Sequence, residues 1–193
     1  MVVLVEYLWS QRNRYEGIKE YHELFREVCK THKATLLGLL KPLNAPWQWT
    51  HLIEVDTMET WQNIIDEIDD RCLHERENIV QNNLRIYPRR EYNPKPKNLN
   101  KMRFLNVELD VWEGLDVGIR EYFDAHVDMF KGLNGIWFMG QYAVWNDPFN
   151  WAHFYWYDTQ KNWREATELC FRAMGRPERI KTFLGRTYEL YTP

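Results

Sequence analysis

Apolar and polar positions alternate in short stretches, and between them recur at helical spacing. Residues 2–9 and 103–112 are extended runs of Val, Leu and aromatic residues, the pattern of strands. Ile18, Tyr21, Leu24/Phe25 and Val28 then recur at the spacing of one helix face, as do Ile119, Tyr122, His126 and Met129. Residues 34–43 and 135–145 predict a second strand in each half. The turn segments Leu43-Asn44-Ala45-Pro46 and Asn146-Asp147-Pro148 lead to a third strand at 48–55 and 150–157. Asp56 reads as an N-cap, with Glu59 reciprocating, for a helix over 57–71, and Asp158 repeats the cap with Lys161 in place of the glutamate. Short helices around 74–82 and 176–183 and last strands near 84–88 and 186–191 complete the expectation.

The two halves of this pattern are copies of one unit. Gly17-Ile18-Lys19-Glu20-Tyr21 returns as Gly118-Ile119-Arg120-Glu121-Tyr122. Pro46-Trp47-Gln48-Trp49-Thr50-His51 returns as Pro148-Phe149-Asn150-Trp151-Ala152-His153, at nearly the same shift along the chain. Asp56-Thr57 and Trp61 keep that shift with Asp158-Thr159 and Trp163. Agreement in order across most of each half marks an internal duplication. Residues 1–90 form the first repeat, 91–101 a Pro- and Asn-rich linker, and 102–193 the second repeat. Each repeat runs strand-helix-strand-strand-helix-strand, the ferredoxin-like order. The fold class expected is therefore α+β.

Composition narrows the function. Of the 193 residues 45% are hydrophobic and 27% charged, proportions of a globular protein rather than a disordered one. Net charge is −3 and no basic run exceeds Arg89-Arg90, which argues against nucleic acid as a partner. No apolar run reaches the roughly 20 residues of a membrane helix, and the start, interrupted by Glu6, reads as a strand rather than a signal peptide. Cys29, Cys72 and Cys170 form no CxxC pair, so a cysteine-built metal site is not expected and a reducing, cytoplasmic setting is. The aromatic content is high, with 10 Trp, 11 Tyr and 9 Phe, and rings of this size both fill cores and line pockets for flat apolar ligands.

Candidate chemistry concentrates in the second repeat. Strand alternation puts Glu108, Asp110 and Trp112 on one face and Val107, Leu109 and Val111 on the other. The apolar set should meet the helices, leaving the acids pointing away from them, between the two sheets; rim positions or pairing with Arg are the alternative. Carboxyl groups in an aromatic interior would have raised pKa values and act as bases. His51 and His153 occupy equivalent strand positions, suited to a general base or a haem ligand, or to bridging strand and helix. His126 stands where the first repeat has Phe25, on the core stripe of its helix, and is either a satisfied core histidine or a ligand-facing one. Tyr122, Trp112, Trp137 and Trp151 are the candidate wall of a pocket. No HxH, HExxH or carboxylate triad supports a metal site, and no GxSxG or glycine-rich loop supports nucleophilic or phosphate chemistry.

Val3–Tyr7, Tyr21-His22-Glu23-Leu24-Phe25 and Trp49-Thr50-His51-Leu52-Ile53-Glu54-Val55-Asp56 carry a resemblance to the dimeric α+β barrel superfamily, closest to its NIPSNAP-like branch. The second repeat keeps His153 and Asp158 but has Trp156 where Glu54 stands. The resemblance implies two ferredoxin-like repeats packed sheet to sheet as an intrachain barrel, and exposed strand edges that commonly pair, giving a homodimer. Three functions follow from it. One is a cofactor-independent oxygenase, isomerase or cyclase that takes a proton from an aromatic or apolar substrate. The second is a haem-binding barrel resembling chlorite dismutase, with His126 or His153 as axial ligand. The third is a binding module without catalysis.

Overall fold

A computed structural model describes residues 2–10, 15–44, 49–71, 79–92, 99–113, 116–144, 148–175 and 180–191. It divides into two compact units, the first holding residues 1–88 and 190–193 and the second 89–189. The first contains β1 (Val2–Ser10), α1 (Tyr15–Thr31), β2 (Thr35–Pro42), β3 (Trp49–Val55), α2 (Met58–Arg71) and most of β4 (Ile79–Tyr92). The second contains β5 (Phe104–Trp112), α3 (Asp116–Phe130), β6 (Ile136–Ala143), β7 (Trp151–Tyr157), α4 (Gln160–Met174) and most of β8 (Ile180–Tyr191). Each unit is an antiparallel sheet in the order β4-β1-β3-β2 or β6-β7-β5-β8. Both units thus have α+β architecture with the ferredoxin-like element order.

Three expectations differ. Residues 79–82 and 180–183 are strand, not helix, because β4 and β8 begin earlier than the sequence pattern indicates. The remainder of the two expected short helices, 74–78 and 176–179, lies outside the described residues. The linker is also shorter, since β4 continues through Pro88 to Tyr92 and its last residues pair with β6 in the second unit. A 3-10 turn at Leu99–Lys101 precedes β5. The caps shift by one residue. Thr57, not Asp56, accepts the Thr60 backbone N–H at 3.1 Å, and Thr159, not Asp158, accepts that of Asn162 at 3.2 Å. A hydroxyl directly before the helix reaches the orphan N–H groups of its first turn.

Each unit buries an apolar layer between sheet and helices. In the first, Ile18, Tyr21, Phe25 and Val28 of α1 meet Ile53 and Val55 of β3 and Trp61, Ile64 and Ile68 of α2. In the second, Ile119 and Phe130 of α3, with Ala166 and Cys170 of α4, meet Trp112, Trp151, Tyr155 and Tyr157. Gly135, at the entry to β6, has φ +77°, and a Cβ there would fall 2.4 Å from the Asp158 carboxylate. Only glycine fits that close approach, which lets the Asp158 N–H reach the Gly135 carbonyl at 3.0 Å. Cys29 and Cys170 are both buried.

Candidate functional site

Register decides which side chains meet. Antiparallel partners point to the same face, so Trp151, His153, Tyr155 and Tyr157 of β7 share a face with Asp110, Glu108, Asn106 and Phe104 of β5. Trp151, Tyr155 and Tyr157 belong to the layer beneath α3 and α4, so this is the helix-facing side. The acids therefore face the helices, and Val107 and Leu109 lie on the opposite, helix-free side, which reverses the expected orientation. The reason is that the helix-facing layer of this unit is aromatic and polar, and both faces of β5 are buried, so alternation could not tell one from the other.

The centre of the cluster is the buried pair Asp110 and His153, with the imidazole Nδ1 2.8 Å from the carboxylate Oδ2 and the side chains 1% and 0% exposed. Burial lowers the His153 pKa against the pull of Asp110, which favours the neutral ring. Glu108 lies opposite His153 across the strand pair. Burial first, and then the neighbouring Asp110 charge, push its pKa up to about 8, while a hydrogen bond from Tyr155 acts the other way. The Asn106 amide donates to Glu108 at 3.4 Å and accepts from the Thr187 hydroxyl at 3.2 Å. Burial and the two acids hold the Tyr155 phenol well above its usual range, so it remains a donor. Burial and Glu108 raise the Cys170 thiol to about 11, which leaves it protonated and unreactive.

Aromatic rings enclose these groups. Phe138 stacks on His153 with centroids 6.4 Å apart and packs on Tyr155 at 4.9 Å; Trp163 packs on Tyr155 at 5.3 Å. Trp112 and Trp151 belong to the same layer, and Asn150 ties down the end of β5 through both backbone groups of Trp112, at 2.9 and 3.0 Å. Tyr122 packs against the layer from α3, its hydroxyl donating to the Gly175 carbonyl at 3.4 Å. Trp137 pairs with Trp156 on the helix-free side, away from the cluster. His126 lies on α3 with its side chain outside the described residues.

His51 belongs to the first unit, where its Nε2 is 3.1 Å from His22 Nδ1 and Phe25 stacks on it at 4.7 Å. Leu39 lies opposite it. In the second unit Gln141 holds the matching position, opposite His153, 1% exposed. Sequence reasoning missed Gln141. Its signal was the change from Leu39 to a polar residue between the repeats, at the strand positions that follow Gly38 and Gly140. Among the described residues no group of three or more His, Cys, Asp or Glu side chains is arranged to hold a metal ion.

Solved structures share this fold. A chlorite dismutase variant from Candidatus Nitrospira defluvii superposes with a TM-score of 0.70 at 7% identity, covering 99% of this chain and 91% of that one. A novel heme-binding protein from Thermus thermophilus gives a TM-score of 0.65 at 10% identity, with coverage of 99% and 91%. At such identities the likeness is one of fold. No family model matches the sequence, and no curated protein does. The fold is that of the chlorite dismutase-like, ferredoxin-like α+β proteins, and no described helix is long and apolar enough to cross a membrane.

Proposed function

We propose that the second unit binds a flat small molecule in the layer between its sheet and helices α3 and α4, and that haem is the ligand class best supported. The observation that carries this reading is the buried Asp110–His153 pair, set within aromatic rings. A heme-binding protein of this fold supplies the ligand class. The residues fit such a group, because an imidazole whose Nδ1 faces a carboxylate is the donor that haem iron takes. His153, or His126 from α3, would hold the iron, which when bound supplies redox chemistry. Asp110 fixes the ring tautomer, Glu108 and Tyr155 hold protons beside it, and Phe138, Trp151 and Trp163 exclude water. Titration of the purified chain with haemin tests this. A saturable Soret band at one haem per chain, lost or shifted in His153→Ala or His126→Ala, is expected; no Soret change in the wild-type chain overturns it.

The pKa of Glu108, near 8, favours a second reading, in which no cofactor takes part and the carboxylate removes a proton from a flat aromatic substrate. Deuterium uptake by 2-tetralone in heavy water should then accelerate with the protein, rise as pH passes about 8, and vanish in Glu108→Gln. The third reading, a binding module without catalysis, rests on the resemblance carried by Trp49–Asp56 to the NIPSNAP-like branch. We also propose that the repeats form an intrachain barrel. Each unit has a helix-free face of buried residues that needs cover, Leu40, Thr50 and Leu52 in one and Val107, Leu109 and Phe154 in the other.

A further inference from the structure

Glu108, His153 and Gln141 lie side by side across three neighbouring strands, on the helix-facing side of the second sheet. Glu108 accepts from Asn106, and His153 Nδ1 lies 2.8 Å from Asp110 Oδ2. Gln141 differs. It is 1% exposed, and neither its amide oxygen nor its amide nitrogen meets a hydrogen-bond partner among the described residues. A buried primary amide carries two donors and an acceptor, and leaving all of them unmade is costly. The fold does not demand an amide here, since the first unit places Leu39, 2% exposed, opposite His51 and packs it in the core.

The surroundings define what would satisfy it. The amide offers a donor and an acceptor side by side in one plane. An anionic ligand group would leave the amide oxygen unpaired, and a cationic one would leave the amide N–H groups unpaired. A neutral group with its own adjacent donor and acceptor closes both hydrogen bonds at once, and an aromatic ring attached to it matches the wall of Phe138, Trp151 and Tyr155. We propose that Gln141 recognises the lactam edge of a flat aromatic heterocycle, pairing N–H to amide oxygen and carbonyl to amide nitrogen. The proposal rests on the reading of this layer as a flat-ligand site and names a second class of molecule, besides haem, that it would take.

Calorimetric titration of the full chain with 2-quinolone, and with N-methyl-2-quinolone, which lacks the N–H, tests it. Saturable binding of 2-quinolone is expected, with affinity lower by roughly tenfold or more for the methylated analogue and for Gln141→Leu, the loss of one or more good hydrogen bonds. Gln141→Leu should melt at the same or higher temperature, and if it does not fold, Gln141→Met provides the same comparison. Equal affinity of wild type and variant for 2-quinolone, or no binding by the wild type, overturns the assignment. Haemin titration run alongside separates the two readings. Haem binding without quinolone binding removes only the role of Gln141, whereas failure of both removes the flat-ligand site as well.

Discussion

Two buried titratable groups, one in each unit, set opposite limits on stability. His22 is held down to about 4, chiefly by burial and then by His51 and Arg26. A histidine whose folded pKa lies below its unfolded 6.5 contributes stability that is complete above pH 6.5 and is lost as pH falls toward 4. Glu108 behaves in reverse. Its folded pKa near 8 exceeds the unfolded 4.5, so the protonated carboxyl adds stability below pH 4.5 that disappears as pH rises through 8. Each effect is on the order of a few kcal/mol at most. Thermal melts across pH should show His22→Phe flattening the acid limb and Glu108→Gln flattening the alkaline limb. A wild-type alkaline limb retained in Glu108→Gln would mean that another group titrates there. Sequence could name Glu108, Asp110 and His153 as chemically loaded. It could not say that they meet, because strand register brings them together across β5 and β7.

Among the elements, the entry to β6 is the most constrained. Gly135→Ala must both hold a positive φ and displace the Asp158 carboxylate, so a loss of roughly 1–3 kcal/mol is expected by denaturant unfolding. Gly175→Ala has open space around its Cβ and meets only the φ penalty, so it should cost less. Equal losses would show that crowding at Asp158 is relieved by a small shift. Strand and helix order were legible because amphipathic spacing survives in both repeats. The starts of β4 and β8 were not. Ile79-Val80 and Ile180-Lys181-Thr182-Phe183 follow charged stretches that also suit a helix, and only pairing with β1 and β5 selects the extended form.

For the whole molecule, the test is cooperativity. If the helix-free faces of the two units cover each other as proposed, a chain cut within 93–98 should remain associated and melt in one transition. Each half expressed alone should bind a hydrophobic dye or aggregate. Two soluble, monomeric, fully folded halves would remove the intrachain barrel.

The duplication, the α+β class and the ferredoxin-like order were present in the sequence by itself, since they depend on local periodicity and on residues repeated in order. The asymmetry between the units was present too, in Phe25 against His126 and Leu39 against Gln141. Tertiary structure alone decided which face of β5 meets the helices, because Val107 and Leu109 on one side and Asp110 on the other are all buried and alternation carries no sign. It alone also put Gln141 opposite His153. The register shift between Phe138 and Gly140 moves that amide onto the helix-facing side; glycine marks the bulge in both repeats, but only strand pairing fixes which side chains it brings together.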